Sequence, residues 1–274
     1  MPFISLALAF FFCLFHPSSL FSAGIPRIDP LKIEEKMLPG ETREGTITLK
    51  NSKKEVMRLK AYIQDWAYSS VGGDGTKKFA PAGLLPLSCS SWMRIHPQQL
   101  TLSPGESQKI HYILSVPSEA QGGYHSAIFF ESALAQNAQG ETNFSGRIPS
   151  LIYVEVSGTV KRKCEAISLR LTRREHSKIL ELQLNVKNTG NIHLAVEPSF
   201  NFLNPQGALA ARGAFPKIYT LPNDSVTAAT TWPGNLAEGT YDFILTIDLG
   251  ENQVLVKEWK VPVSPTGAIQ EDLS

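Results

Sequence analysis

A glycine, one further residue and a tyrosine stand directly before an alternating apolar run at two places in this chain. Gly122 and Tyr124 open one run in QGGYHSAIFF, and Gly239 and Tyr241 open the other in EGTYDFILTIDL. A period of two sends successive side chains to opposite faces of a strand, so each run predicts a half-buried β-strand. The glycine permits a sharp corner before the strand, and the tyrosine ring can pack there while its hydroxyl bonds to the backbone. We predict that these four residues form structural corners.

The same landmarks precede both corners. A strand ending in asparagine, at Asn51 and again at Asn188, comes first, and a turn around Pro104 or Pro222 follows. The spacing indicates two copies of one domain-sized unit rather than a short solenoid repeat. Each unit contains about seven short strands separated by turn signals, without helical periodicity. We therefore predict an all-β protein made of two tandem immunoglobulin-like β-sandwich domains.

Composition shifts place the domain boundaries. An apolar stretch followed by small residues makes 1–24 a predicted secretory signal peptide, although no basic residue precedes the apolar core. We place the first domain at 25–158 and the second at 159–264, because a glycine and a short basic run separate two strand patterns there. The end of the chain, 265–274, is expected to be disordered. No later segment reaches transmembrane length, so we expect a soluble mature protein outside the cytoplasm.

The charges and motifs argue against several classes of function. The chain has 26 Lys+Arg against 25 Asp+Glu, so no large field favours nucleic acid or an anionic membrane. It contains none of the motifs HExxH, GxSxG and CxxC, and no phosphate-binding glycine loop. No two histidines have metal-ligand spacing on one predicted element, and His111 and His125 are expected at outward positions of strands. We predict a protein that is not an enzyme and needs no cofactor or metal ion.

Two cysteines, Cys89 and Cys164, follow the predicted signal peptide. In an oxidising compartment two thiols can form one disulfide. The two residues belong to different predicted domains, one in a loop before a strand and the other just past the linker. Two separate free thiols are therefore the favoured interpretation, and a Cys89–Cys164 disulfide is the alternative.

The strand GRIPSLIYVEV at the end of the first unit is apolar on both faces. Pro149 has no N–H to donate, which places the start of the strand at a sheet edge. An exposed apolar edge is a hazard unless it is covered or used to capture another chain by strand addition. In the second case the partner-binding face comprises Ile148, Ser150, Ile152, Val154 and Val156. The alternative is that both faces are buried, one in the sandwich and the other against the second domain.

The segment 91–130 resembles the first domain of the PapD-like chaperones that assemble pili in the periplasm. The shared features are an apolar strand, a proline, a Leu-x-Pro-Gly turn, another strand and a glycine-led strand. They fall on Trp92, Ile95, Pro97, Leu102, Pro104, Gly105, Ile110, Val116, Pro117, Gly122 and Tyr124. The likeness extends to the upstream segment 38–51. It implies a periplasmic chaperone that binds exported pilus or other surface subunits, with an outer-membrane usher as a further partner.

In that family the first domain lends its last strand to an incomplete subunit, and a basic pair between the domains holds the subunit's terminal carboxylate. The resemblance therefore implies that 147–156 is the lent strand. The basic pair transfers poorly. Counted back from the Pro39-Gly40 turn, the position of one of its two basic residues holds Glu35 in this chain. The remaining candidates for anchoring the carboxylate are Arg27, Lys32 and Arg147. Chaperones of this design can cover a free edge by self-association.

Two functions from other classes share this fold. One is a structural or adhesive envelope module that binds a surface protein or a wall component. The other is an enzyme whose site is built from scattered residues, which the absence of catalytic motifs disfavours. A fold alone does not distinguish the three functions.

Overall fold

The computed structural model describes residues 24–69, 73–132 and 146–274. The expected signal peptide at 1–24 lies outside these residues, except for Gly24. The described chain is all β and forms two immunoglobulin-like sandwiches in tandem, as predicted from the alternating runs. Within these ranges, no helix is both long and apolar enough to cross a membrane.

The first sandwich consists of two sheets. Its strands are, in chain order, β1 (Arg27–Asp29), β2 (Lys32–Met37), β3 (Thr42–Lys50), β4 (Met57–Tyr68), β5 (Lys77–Pro81), β6 (Met93–His96), β7 (Gln99–Leu102), β8 (Ser107–Ser115), β9 (Gly122–Ser132) and β10 (Arg147–Val156). One sheet has the order β1-β3-β8-β6, and the other has the order β2-β10-β9-β4-β5, with β7 also paired to β4. The neighbours β2 and β10 run parallel, whereas the other pairs are antiparallel.

Alternation determines which side chains enter the first core. Ile47 and Leu49 on β3 and Ile110 on β8 are fully buried between the sheets. Their neighbours Thr46 and His111 face outward and are exposed. The period-two pattern that predicted these strands therefore also predicted their inward faces.

The second sandwich has its own core. Its strands are β11 (Cys164–Arg173), β12 (Ile179–Asn188), β13 (Leu194–Val196), β14 (Ser199–Leu203), β15 (Leu209–Ala214), β16 (Ile218–Thr220), β17 (Ser225–Pro233), β18 (Gly239–Gly250), β19 (Gln253–Val263) and β20 (Ile269–Leu273). The sheets have the orders β17-β12-β11-β20 and β15-β14-β18-β19, and β13 pairs with β16. Phe200, Phe202 and Phe243 pack together at its centre, with the Phe202 and Phe243 ring centroids 4.9 Å apart.

The end of the chain is ordered, so the expectation of a disordered tail at 265–274 is wrong. β20 pairs antiparallel with β11 from Leu169 opposite Leu273 to Arg173 opposite Ile269. Ile269 is only 2% exposed and belongs to the second core. The guanidinium of Arg173 donates to the Gly267 carbonyl at 2.5 Å, which fastens the turn before β20. A polar segment with one buried apolar residue completes a sheet edge here, and composition alone did not indicate it.

Both glycine–tyrosine corners lie at strand starts. Gly122 has φ +82°, and a Cβ there would stand 2.4 Å from the Asn191 carbonyl oxygen, so both its conformation and its surroundings require glycine. The Tyr124 ring packs 4.2 Å from that of Trp92. At the other corner the Tyr241 hydroxyl donates to a carbonyl four residues upstream, at 3.2 Å. That bond is the return to the backbone expected of a tyrosine corner.

The two cysteines are free and buried, so the Cys89–Cys164 disulfide is not formed. Cys89 lies in the core of the first sandwich and Cys164 in the core of the second. Burial raises the pKa of the Cys89 thiol to about 12 and that of Cys164 to about 11. Because the thiolate is the reactive form, both side chains act as small apolar core residues.

Candidate partner-binding site

The strand β10 is not an edge strand over its second half, so of the two interpretations of 147–156 the open edge fails there. β2 pairs with it in parallel from Leu151 opposite Lys32 to Val156 opposite Met37. Its inward side chains Ile152, Val154 and Val156 are buried in the first core, and Ser150 is buried as well. These predicted donor residues complete the sandwich to which they belong. The interpretation that the strand is buried therefore holds for Leu151–Val156.

The reason lies at the start of the chain, where one extended segment serves both sheets. β1 ends at Asp29 in one sheet, and β2 begins at Lys32 in the other. The Leu151 N–H donates to the Leu31 carbonyl at 2.9 Å, and the Ser150 hydroxyl donates to the Pro30 carbonyl at 2.8 Å. No sequence pattern shows that a strand changes sheets at this point.

The first part of β10 remains open on one side. Among the described residues, Arg147–Pro149 pair with β9 and with no second strand. Ile148 is half-buried at this open edge, and Leu31 beside it is 57% exposed. A groove of about 570 Å³ lies between this edge and β1; we call it the flank groove. It is lined by Arg27, Ile28, Asp29, Leu31, Thr48, Lys50, Ser107 and Ile148.

The flank groove has the chemistry of a strand-binding site. Its apolar surface comes from Ile28, Leu31 and Ile148, and its charged rim includes Arg27 and Lys50. The open backbone of β10 can hydrogen-bond to an added strand except at Pro149, which has no N–H. An incoming strand with alternating apolar side chains would extend the sheet and cover the exposed leucine.

The three predicted anchoring residues lie at separate places. Arg27 lines the flank groove. The Arg147 guanidinium stands over the Phe129 ring, 4.9 Å from its centroid. The Lys32 ammonium stands over the Tyr153 ring, also at 4.9 Å. These three side chains therefore do not form the expected pair.

A second cation that the sequence analysis missed lies near Lys32. Lys77 on β5 stands over two aromatic rings, 5.2 Å from the Trp66 centroid and 5.1 Å from the Tyr68 centroid. Burial and the charge of Lys32 both lower the pKa of Lys77, so the two ammonium groups repel each other. Lys32 also pairs with Glu34 at 2.6 Å, and both side chains are largely exposed. We call Lys32 and Lys77 the lysine pair; it is a place where an anion would relieve repulsion.

The lysine pair borders an aromatic and histidine cluster between the two sandwiches. His193 of the second sandwich packs 4.5 Å from Tyr153, and His125 packs 4.3 Å from Trp66. His125 is 3% exposed, so the expectation of an outward, solvated imidazole is wrong. Burial lowers the pKa of His125 to about 4 and that of His193 to about 3, where nearby positive groups add to the effect. The Tyr219 N–H donates to the Gly73 carbonyl at 3.0 Å, which joins the sandwiches through the turn before β5.

A solved structure of a fimbriae chaperone is similar in fold to this chain. The class 5 fimbriae chaperone CfaA is 15% identical, with a TM-score of 0.50, over 85% of this chain and 98% of that chain. The chain has a PapD-like chaperone fold. Two further matches are a chain from the chaperone–tip adhesin complex of CFA/I fimbriae and the E. coli chaperone DraB. The first is 13% identical with a TM-score of 0.48 over 86% of this chain and 98% of that chain. DraB is 12% identical with a TM-score of 0.40 over 87% of this chain and 98% of that chain. No protein-family model and no curated protein matches the sequence.

The acidic residue that departs from the PapD-like pattern has a structural role. The Glu35 carboxylate accepts from the Arg43 guanidinium and from the Tyr112 hydroxyl, the latter at 3.4 Å. It lies on the same side of β2 as the buried Ile33 and Met37, and its side chain is mostly buried. Glu35 therefore ties β2 to the opposite sheet and does not face the lysine pair.

Proposed function

We propose that this protein is a periplasmic chaperone that binds exported pilus or other surface subunits by strand addition at the flank groove. The observation that carries the proposal is the open edge of β10 at Arg147–Pro149, beside the exposed Leu31. The PapD-like fold supports a chaperone, and the absence of catalytic motifs agrees with a role in binding. The proposed contact differs from the one expected from sequence, because it uses the first half of β10 and not the buried second half.

The side chains that would contact the subunit are Ile148 and Leu31. A strand laid along Arg147–Pro149 extends the sheet and removes both residues from water. Complete burial of an exposed aliphatic side chain stabilises by about 1.5–3 kcal/mol. For the partly exposed leucine the gain is about 1 kcal/mol, so the backbone hydrogen bonds and the subunit's own side chains must supply most of the affinity.

The lysine pair would hold the carboxylate end of the subunit. Lys32 directly follows Leu31, and neighbouring residues of a strand are about 3.3 Å apart, so a strand in the flank groove passes close to Lys32. A carboxylate placed between Lys32 and Lys77 lowers their mutual repulsion. The rings of Trp66, Tyr68 and Tyr153 lie beneath the ammonium groups and lower the polarity on that side, which strengthens the interaction.

The test is capture of subunits from the protein's own envelope extract. Ile148→Asp places a charge in the flank groove, and Ile113→Asp is the matched control, because Ile113 is 37% exposed on the other sheet. We expect the parent and the control to retain a small single-domain β subunit, and the Ile148 variant to lose it. Equal capture by all three proteins would refute binding at the flank groove and favour an adhesive module with another contact surface. Folding of each variant is checked by circular dichroism.

A second pair of variants tests the anchoring step. Lys32→Gln with Lys77→Gln should weaken capture and reduce its sensitivity to salt, since charge interactions with exposed groups are screened. Lys109→Gln, at an exposed position on the other sheet, is the control. Unchanged salt dependence in the double variant would exclude the lysine pair as the anchor, while leaving the flank groove itself to the first test.

A further inference from the structure

Two histidines that are distant in the sequence face each other on the surface of the first sandwich. β6 and β8 pair antiparallel, and the register places His96 directly opposite His111. Both side chains are exposed on the outward face of the sheet. The two residues are on different strands, which is why spacing along a single predicted element did not reveal them.

The register brings the imidazoles within reach of one metal ion. Directly opposite residues of an antiparallel pair have Cβ atoms about 4.5–5.5 Å apart. A metal bound to two imidazole nitrogens at about 2.0–2.1 Å holds those nitrogens about 3.3 Å apart in tetrahedral geometry. Staggered rotamers of two facing histidines can meet that distance, and the rigid sheet fixes their backbones. β6 is the outer strand of its sheet, so solvent reaches the pair from the side.

The groups around the pair determine how tightly it can bind. Thr46 lies opposite His111 on the other neighbouring strand, β3. Arg94 and Lys109 share the outward face two residues from each histidine, and Glu44 lies on the same face further along β3. Among the described residues, no group of three or more His, Cys, Asp or Glu side chains could hold a metal ion. A metal here therefore has two protein ligands and water at its other positions, beside two positive charges and one negative charge.

We propose that His96 and His111 form a surface site for a divalent transition-metal ion. Imidazole ligands favour Cu²⁺, Ni²⁺ and Zn²⁺ over Mg²⁺ and Ca²⁺, and Cu²⁺ binds most tightly in this series. With two ligands and a net positive surrounding, the affinity is weaker than that of a closed structural site. The open positions on the metal are available to water or to a ligand from another molecule. This site is independent of the flank groove and of the lysine pair.

The test is titration of the protein with Cu²⁺ alone, followed by calorimetry and by electron paramagnetic resonance. We expect one ion per chain with two coordinated imidazole nitrogens in the spectrum. His96→Gln and His111→Gln should each weaken binding more than about ten-fold, because even loss of an outer partner of a ligating histidine costs about 10–100-fold. The loss in the double variant should be smaller than the sum of the two single losses, because either substitution alone already breaks the two-histidine site.

A control separates this site from binding by any exposed histidine. His176 lies in a turn away from both strands, and His176→Gln should leave the affinity and the spectrum unchanged. Affinity that stays within two-fold of the parent in both single variants, or a parent spectrum with only one coordinated nitrogen, would overturn the proposal. Because both side chains are exposed, the variants should keep the parent's thermal unfolding midpoint, and binding is compared at that matched stability.

Discussion

Acid should destabilise this protein through two imidazoles between its sandwiches, of which His125 is buried and His193 is partly buried. His125 packs on Trp66, and His193 packs on Tyr153. The pKa values in the folded chain are about 4 for His125 and about 3 for His193, lowered chiefly by burial. A histidine in an unfolded chain has a pKa of about 6.5, so the unfolded state binds protons first as the pH falls. The stability is complete above about pH 6.5 and is lost progressively as the pH falls towards the folded values.

The magnitude follows from the difference in proton binding. At pH 5 each site is protonated in the unfolded chain and largely neutral in the folded chain. Because pH 5 is about 1.5 units below the unfolded pKa and one unit corresponds to about 1.36 kcal/mol, each site lowers the free energy of unfolding by about 2 kcal/mol relative to neutral pH. Both sites together give about 4 kcal/mol, which is a large share of the 5–15 kcal/mol typical of folded proteins. The positive groups that face His193, which are Lys32, Lys77 and Arg162, act in the same direction.

The assay is urea unfolding followed by tryptophan fluorescence at pH 7.5 and pH 5.0. Between pH 7.5 and pH 5.0 the free energy of unfolding of the parent should fall by about 4 kcal/mol, and that of His193→Gln by only about 2 kcal/mol. His176→Gln removes a histidine outside the interface and should keep the full loss. A parent whose stability changes by less than about 1 kcal/mol, or a His193 variant with an undiminished loss, would refute the assignment of the effect to these two imidazoles.

Three further predictions concern the cores. Ile269→Ala should lower the free energy of unfolding by about 2–5 kcal/mol, because it removes a buried side chain from the second core. Ile167→Ala, at a 42% exposed position, should lower it much less. Equal effects of the two substitutions in urea titrations would mean that β20 does not belong to the folded core. The thiols of Cys89 and Cys164 should react with Ellman's reagent only after unfolding, because both are buried, and rapid labelling of the native protein would contradict their placement. Ile152→Asp should abolish folding as judged by circular dichroism, since it buries an unpaired charge in the first core, and a folded variant would show that this part of β10 is accessible.

The fold could be predicted because its signals are local. The alternation after Tyr241 is visible within ten residues, and it places Phe243 and Leu245 on the inward face where the structure has them. Successive side chains of a strand point to opposite faces whichever strand it pairs with, so the strands and their inward faces can be predicted from the sequence. The order of strands within each sheet does not follow from it.

The candidate site could be predicted only in part, because it depends on contacts between distant segments. Arg147, Ile148 and Lys32 belong to it, and all were identified from the sequence. Lys77 was missed because it is 45 residues from Lys32, and only the pairing of β5 with β4 carries it to the same sheet face. Ile152 was assigned to the partner because nothing in GRIPSLIYVEV shows that β2 covers the strand from Leu151 onward.

The sheet change between β1 and β2 explains both the burial and the opening of β10. β2 pairs with β10 only from Lys32 onward, so the same segment that closes the core at Ile152 leaves Arg147–Pro149 uncovered. The strand β2 is itself a poor site for strand addition, because its sequence KIEEKM is short and charged, which is how natural sheets protect their edges. Binding of another chain is thereby restricted to the part of β10 before Leu151. An apolar strand of this length, open along its whole edge, would aggregate, whereas an opening of about three residues can bind a partner and still keep the sandwich soluble.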